Sequence, residues 1–140
     1  LRDAIGFAVS GDVIDFDCAA LNCPVTITLS SLGNNQGFPG PTALVITGKS
    51  ITILGPASGG VTLQASPGIT SATSERLFFV DTGASLTLEN LILQNGSARG
   101  GNGGSGFEGG GGAAGLGGAI FSQGTLTARR FAPIQRSLGR

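Results

Sequence analysis

Between residues 76 and 95, apolar and polar positions fall into three short phrases. Leu77-Phe78-Phe79-Val80 is an apolar run, and Asp81-Thr82-Gly83-Ala84 interrupts it. Leu86 and Leu88 then share one face with Thr87 on the other, and after a corner at Glu89-Asn90 the pair Leu91 and Leu93 repeats the pattern. A period of two is the mark of a strand, so strands are predicted over 77–80, 85–88 and 91–94. The same wording recurs on both sides: Val45-Ile46-Thr47-Gly48-Lys49-Ser50-Ile51-Thr52-Ile53 before it, Phe121-Ser122-Gln123-Gly124-Thr125-Leu126-Thr127-Ala128 after it. Gly48, Gly83 and Gly124 align, as do Thr52, Thr87 and Thr127, at intervals of about 35 and then about 40 residues.

A strand–turn–strand unit that returns along a chain predicts a solenoid. Three short strands need roughly 20–25 residues plus loops, so each interval is one coil with an insertion. The insertions are placed at 66–74 and 96–116. Stacking of successive coils puts Ile51, Leu86 and Leu126 in one inward column and the aligned threonines outward. A β-sandwich has no reason to repeat one phrase three times. An α/β fold would need helical periods between the strands, and none is present.

The remaining segments fit that frame. Leu1, Ile5 and Ala8 stand at helical spacing, so residues 1–9 read as a short helix that covers the open end of the stack. Residues 13–17 alternate, with Ile14 and Phe16 on one face and Asp15 and Asp17 on the other. Strands follow at 26–30, 43–47, 50–54 and 61–64, with a loop at 31–41, and the pattern resumes at 117–122 and 125–128. The expected organisation is an all-β solenoid domain over 1–128 and an irregular basic tail over 129–140. In that tail Pro133 falls where Leu93 stands in the previous coil, and Pro cannot donate to a ladder. The last coil is therefore expected to be incomplete, with an exposed C-terminal edge that favours self-association.

Composition narrows the function. Gly is 26 of 140 residues, but clustered rather than periodic, so the chain is not collagen-like. Only 11% of residues are charged, yet the mean hydropathy is +0.29, too apolar for disorder. A formal net charge of zero removes the electrostatic footprint of a nucleic-acid binder. The balance is uneven: Arg129, Arg130, Arg136 and Arg140 crowd the tail, where there is no acid. No apolar run reaches the roughly 18 residues of a membrane span.

Chemical motifs are sparse. The chain has no His, Trp or Tyr. Thr47-Gly48-Lys49-Ser50 echoes the end of a P-loop, but Ala43 stands where the earlier Gly belongs and no helix follows. The run from Gly101 to Gly106 satisfies GxGxxG without opening a helix. Residues 100–107 approach a calcium-binding nonapeptide, with Ser105 in place of the Asp ligand and Glu108 as the one carboxylate nearby. Asp15 and Asp17 would project from one strand about 6–7 Å apart. That spacing suits paired carboxylates or calcium, and equally a solvated face that blunts an edge. Asp81 and Glu89 flank the central turn and read as solvated. Arg76 or Arg99 could serve as a base, but no acidic pair is placed beside either. Of Phe78 and Phe79, one should face the core and the other outward into solvent. Asn95-Gly96-Ser97 is a glycosylation sequon. No catalytic, cofactor-binding or metal residue is assigned; Asp15 and Asp17 are the candidates for metal.

Leu1-Arg2-Asp3-Ala4-Ile5 followed by Ser10-Gly11-Asp12-Val13-Ile14-Asp15-Phe16 resembles the opening of secreted bacterial right-handed parallel β-helix proteins, and Ser50–Pro56 resembles their next signature. The Gly-rich run ending in Gly117-Gly118-Ala119-Ile120 resembles the GGAI motif of polymorphic outer-membrane proteins and autotransporter passengers; their FxxN partner is replaced by Phe121-Ser122-Gln123-Gly124. The resemblance implies a right-handed parallel β-helix, secreted or associated with a bacterial cell surface. It implies a non-catalytic scaffold, adhesin-like, with a host-surface or polysaccharide ligand. The alternatives are a carbohydrate-active enzyme of pectate-lyase-like fold and an inactive N-terminal piece of a larger β-helix protein. A secreted chain meets oxidising conditions, so a Cys18–Cys23 disulfide is expected within the loop between two strands.

Overall fold

The computed structural model of the protein describes residues 1–29, 40–66, 75–98 and 117–130. Most of the 31–41 loop and of the two predicted insertions lies outside the described residues. So do Arg99, the run from Gly101 to Gly106, Glu108 and the tail from 131 onward.

The chain opens with helix α1 (Arg2–Phe7), strand β1 (Val13–Asp15), helix α2 (Cys18–Leu21) and strand β2 (Val25–Leu29). Eight further strands follow: β3 (Thr42–Ile46), β4 (Ser50–Leu54), β5 (Val61–Ala65), β6 (Arg76–Val80), β7 (Ser85–Glu89), β8 (Ile92–Gln94), β9 (Ile120–Ser122) and β10 (Thr125–Arg129). They form three sheets among the described residues. Sheet A has the order β1-β4-β7-β10, sheet B β2-β5-β8 and sheet C β3-β6-β9. Every pairing is parallel. From β3 onward the chain visits C, A and B in that order, returns to C, and repeats. The fold is thus predominantly β and entirely parallel in its sheets.

The register realises the sequence columns. Ile51 pairs with Leu86 and Leu86 with Leu126; Thr52 pairs with Thr87 and Thr87 with Thr127. Inward columns make the core: Ile53 and Leu88 in sheet A, Leu63 in sheet B, Leu44 with Phe78 and Ile46 with Val80 in sheet C, all buried. Short strands of Ile, Val, Leu and Thr suit this arrangement, because branched side chains pack well across a pleated surface. Leu126 remains 38% exposed where Leu86 is fully covered, since no described strand lies beyond β10.

Sheet C departs from simple alternation. The amides of Leu77 and Phe78 both donate to the Ala119 carbonyl. That doubled bond marks a local bulge, which turns two consecutive side chains to the same side. Leu77 and Phe78 both enter the core, as do Ala43 and Leu44 of β3. Arg76 and Phe79 are thereby sent to the outer face.

The aligned glycines occupy the turns from sheet C to sheet A for two different reasons. Gly48 and Gly83 have φ of 65° and 78°, the left-handed region that costs other residues about 1–2 kcal/mol. Space around both is open. Gly124 is required by proximity instead: a Cβ there would collide with the carbonyl oxygens of Ala84 and Asp81.

Two expectations at the N-terminal end need correction. The strand predicted over 13–17 stops at Asp15, and CAALNC is not a plain loop. The Asp17 carboxylate accepts from the amides of Ala19 and Ala20, at 3.0 and 3.2 Å, and so caps a turn of helix. Asn22, in the left-handed region, ends it. Cys18 and Cys23, joined in a disulfide with Cα atoms 5.0 Å apart, strap that turn.

The helix predicted over 1–9 spans Arg2–Phe7 and buries Ile5. It lies against sheet C through Arg2, whose guanidinium donates to the Ala43 carbonyl at 3.0 Å. Lys49, the lysine of the P-loop echo, spends its ammonium on the C-terminal end of α1. It donates to the carbonyls of Ile5, Gly6 and Ala8 at 2.9, 3.3 and 2.8 Å. Those carbonyls have no partner within the helix, and a cation there also meets the negative end of the helix dipole.

Candidate functional site

Two places in the described structure gather polar groups in a way that could carry function. One is closed and lies on sheet C. The other is open and runs along the corner between sheets A and B.

The closed cluster is a product of the bulge. Arg76 begins β6 and is 3% exposed. Its Nε donates to the Gly117 carbonyl at 3.0 Å and its Nη1 to Thr42 Oγ1 at 3.1 Å. The guanidinium lies over the Phe121 ring, 5.2 Å from the centroid, and Phe121 stacks on Phe79 at 5.6 Å. Cation–π contact and two hydrogen bonds offset the cost of burying this charge. Burial lowers the Arg76 pKa from its ordinary value. Glu75, the preceding residue, is 2% exposed, and its Oε1 has no hydrogen-bond partner among the described residues. Burial pushes its carboxyl above the usual carboxylate range, and the Arg2 guanidinium pulls it partly back.

The open site is built from the corner turns. Gly55 and Asn90 stack there, and Asn90 adopts φ 55°. The Gly55 amide donates to the Glu89 carbonyl at 2.8 Å, and the Asn90 amide to that of Arg129 at 3.1 Å. Asn90 Nδ2 returns a bond to the Gly55 carbonyl at 3.4 Å. A side chain at Gly55 would strike the Asn90 backbone, so the two turns approach as closely as backbone allows. Along this corner lie two shallow depressions of 240 and 270 Å³ that share Ala57 and Asn90. Together they run from Asp15 and Phe16 across Pro56 to Ile92 and Arg130. The groove follows the stacking direction, with an acid at one end and a base at the other.

The residues singled out in the sequence do not converge. Asp15 stands at the mouth of the groove, whereas Asp17 is occupied as a helix cap. Asp81 opens its own turn: its carboxylate accepts from the Thr82 amide at 2.7 Å and its carbonyl from the Ala84 amide at 3.0 Å. Glu89 lies between Leu54 and Arg129 in sheet A. Phe78 and Phe79 are both buried, so the expectation that one faces outward into solvent gives way: Phe79 does face outward, but under cover with Phe121. Asn95 of the sequon is exposed in the left-handed region. Among the described residues no group of three or more His, Cys, Asp or Glu side chains is placed to hold a metal ion. No described helix is long and apolar enough to cross a membrane.

Sequence reasoning misses Glu75 and Asn90. Glu75 carries a signal, since it is an isolated acid at the head of the most apolar strand. Asn90 reads as a corner but not as the shared floor of a groove. No family model, no curated protein and no solved structure matches the chain.

Proposed function

We propose that this chain is a right-handed parallel β-helix segment that acts as a non-catalytic scaffold, adhesin-like, in a secreted or bacterial cell-surface setting. The observation that carries the reading is the repeated C–A–B circuit with strands stacked in register. Such a stack makes a rigid, extended surface, and its repeats can be varied without disturbing the core. The surface setting rests on the motif resemblance described above. The corner groove is the ligand surface of this reading. It crosses several coils, its middle is turn backbone with small residues at Gly55, Ala57 and Gly59 between apolar side chains, and it suits one extended chain such as a polysaccharide better than a compact molecule. The C-terminal edge supplies a second contact, with another copy of the chain.

The test uses the purified 140-residue chain with polygalacturonate and alginate in calcium. The expected result is retention of polysaccharide without release of unsaturated oligosaccharides. Ala57→Trp, which fills the wall common to both depressions, should weaken that retention at least about tenfold. Release of unsaturated products by the wild-type chain would overturn the scaffold reading.

One observation favours a second reading, an enzyme of pectate-lyase-like fold. A buried carboxyl with raised pKa near an arginine is a common acid–base arrangement, and Glu75, whose charge is offset by the Arg2 guanidinium, has that form. Cleavage by the wild-type chain that disappears in Glu75→Gln would select it.

A further inference from the structure

Sheet A is the longest of the three, and β1 and β10 are its outermost described strands. All its strands run the same way, so the outer edge of β10, which pairs with no described strand, offers the hydrogen-bonding pattern that the outer edge of β1, likewise without a described partner strand, can accept. From this we infer that the protein stacks head to tail, with β1 of one copy adding to β10 of the next and continuing sheet A across the junction. The inference rests on the stacked-coil reading above and gives its self-association a partner surface, a direction and a register.

Register is the first argument. Within the chain, Asp15 pairs with Leu54, Leu54 with Glu89 and Glu89 with Arg129. Continuing that column by one strand sets the Asp15 of the incoming copy beside Arg129, about 4.8 Å along the stack. Arg129 would then lie between two acids, Glu89 below and the incoming Asp15 above. Ile14 would follow Leu88 and Ala128 on the inward face.

Charge is the second. The leading end carries Asp3, Asp12, Asp15 and Asp17, opposed there by Arg2 and by the Lys49 ammonium on α1. The trailing end carries Arg129 and Arg130, both exposed. Two leading ends repel, as do two trailing ends, while one of each attracts. The same asymmetry argues against a symmetric edge-to-edge dimer.

Apolar surface is the third. Phe7, Val9 and Val13 at the leading end are 88%, 65% and 58% exposed. Phe7 lies two positions from the buried Ile5, hence on the far side of α1 from the core. Leu126 at the trailing end is 38% exposed at a position whose equivalents, Ile51 and Leu86, are covered by the next coil. Contacts of this heterologous kind do not close on themselves, so short linear oligomers are expected rather than a single dimer.

The experiment follows mass against concentration by sedimentation velocity on the full chain, at low and at high salt. The expected result is a concentration-dependent series that shifts toward monomer in high salt. Asp15→Arg and Arg129→Asp should each raise the dissociation constant at least about tenfold. Both positions are exposed, and unchanged circular dichroism checks that each variant folds. Mixing the two single variants, or combining them in one chain, should restore association, because each mismatched end then meets its complement. A monomer at all concentrations would overturn the inference, as would association indifferent to both reversals or not restored by mixing. A monomer that still retains polysaccharide would discard the stacking and leave the scaffold reading in place.

Discussion

Sheets A and C share one connectivity and one direction of pairing, but they present their outer faces in opposite ways. On β7 of sheet A the outward residues Ser85, Thr87 and Glu89 are partly open, and only Leu86 and Leu88 are buried. On β6 of sheet C every residue is buried, including Arg76 and Phe79 on the outer side. The stacked threonines of sheet A can keep water as a hydrogen-bond partner, so they contribute little either way. On β6 and just before it the polar side chains have lost water and must be satisfied by protein. Arg76 is, through Gly117, Thr42 and the Phe121 ring; Glu75 Oε1 is not. The same backbone frame therefore supports a tolerant surface on one side and a tightly specified one on another.

The largest effect that would test this contrast is at Phe79. Phe79→Ala should cost about 3 kcal/mol, the range for an aromatic removed from a packed site. Thr87→Ala, at an outward position of sheet A, should change stability by no more than about 0.5 kcal/mol. Denaturant unfolding of both variants measures the difference, and equal costs would erase the distinction between the sheets.

The turns give a second contrast, with effects of about 2 kcal/mol. Gly124→Ala forces a side chain onto two carbonyls and should destabilise by about 1–3 kcal/mol. Gly83→Asn should be tolerated to within about 1 kcal/mol, because Asn accepts the left-handed region and the space is open. If Gly83→Asn proved the more damaging of the two in thermal unfolding, positive φ rather than close approach would be the stronger constraint.

Removing the disulfide should cost about 2 kcal/mol, the value for so short a closed loop. The measurement is the unfolding midpoint of Cys18→Ser/Cys23→Ser against the oxidised parent. The double variant should still form sheets A and C, because the strap confines only the turn before β2.

The smallest effect is at Glu75 and depends on pH. Its folded pKa lies above its ordinary value of 4.5, so the folded state holds the proton more tightly than the unfolded one. Stability therefore falls as pH rises from about 4.5 through the raised folded value, and it is not regained above that. Glu75→Gln removes the penalty. It should stabilise the protein at pH 7, where Glu75 bears a desolvated charge that Gln does not. The gain should vanish at about pH 4, where the native carboxyl is already neutral. A gain that is constant across that range would show that ionisation of Glu75 has no part in it.

Much of the frame is written locally. Period-two alternation in 50–54, 61–65 and 85–89 sets which side chains face in, and the recurrence of Gly and Thr sets which strands stack. The first is a short-range pattern that follows from the geometry of an extended chain, and the second is a long-period repeat visible in the residues themselves. The pairings of Thr52, Thr87 and Thr127 are therefore legible in the spacing of residues alone. The candidate sites are not legible in the same way. The bulge that turns Arg76 outward depends on a hydrogen bond from β6 to Ala119, about forty residues on. The groove depends on Gly55 and Asn90 meeting across neighbouring coils. Asp17 has the spacing of half a carboxylate pair, but the strand ends at Asp15 and the Asp17 carboxylate turns to cap the helix behind it. In each case the sequence determined the periodicity, hence the strands, their faces and their stacking. Only the tertiary structure decided which polar groups lost water and what they met instead, because desolvation depends on neighbours distant in the chain.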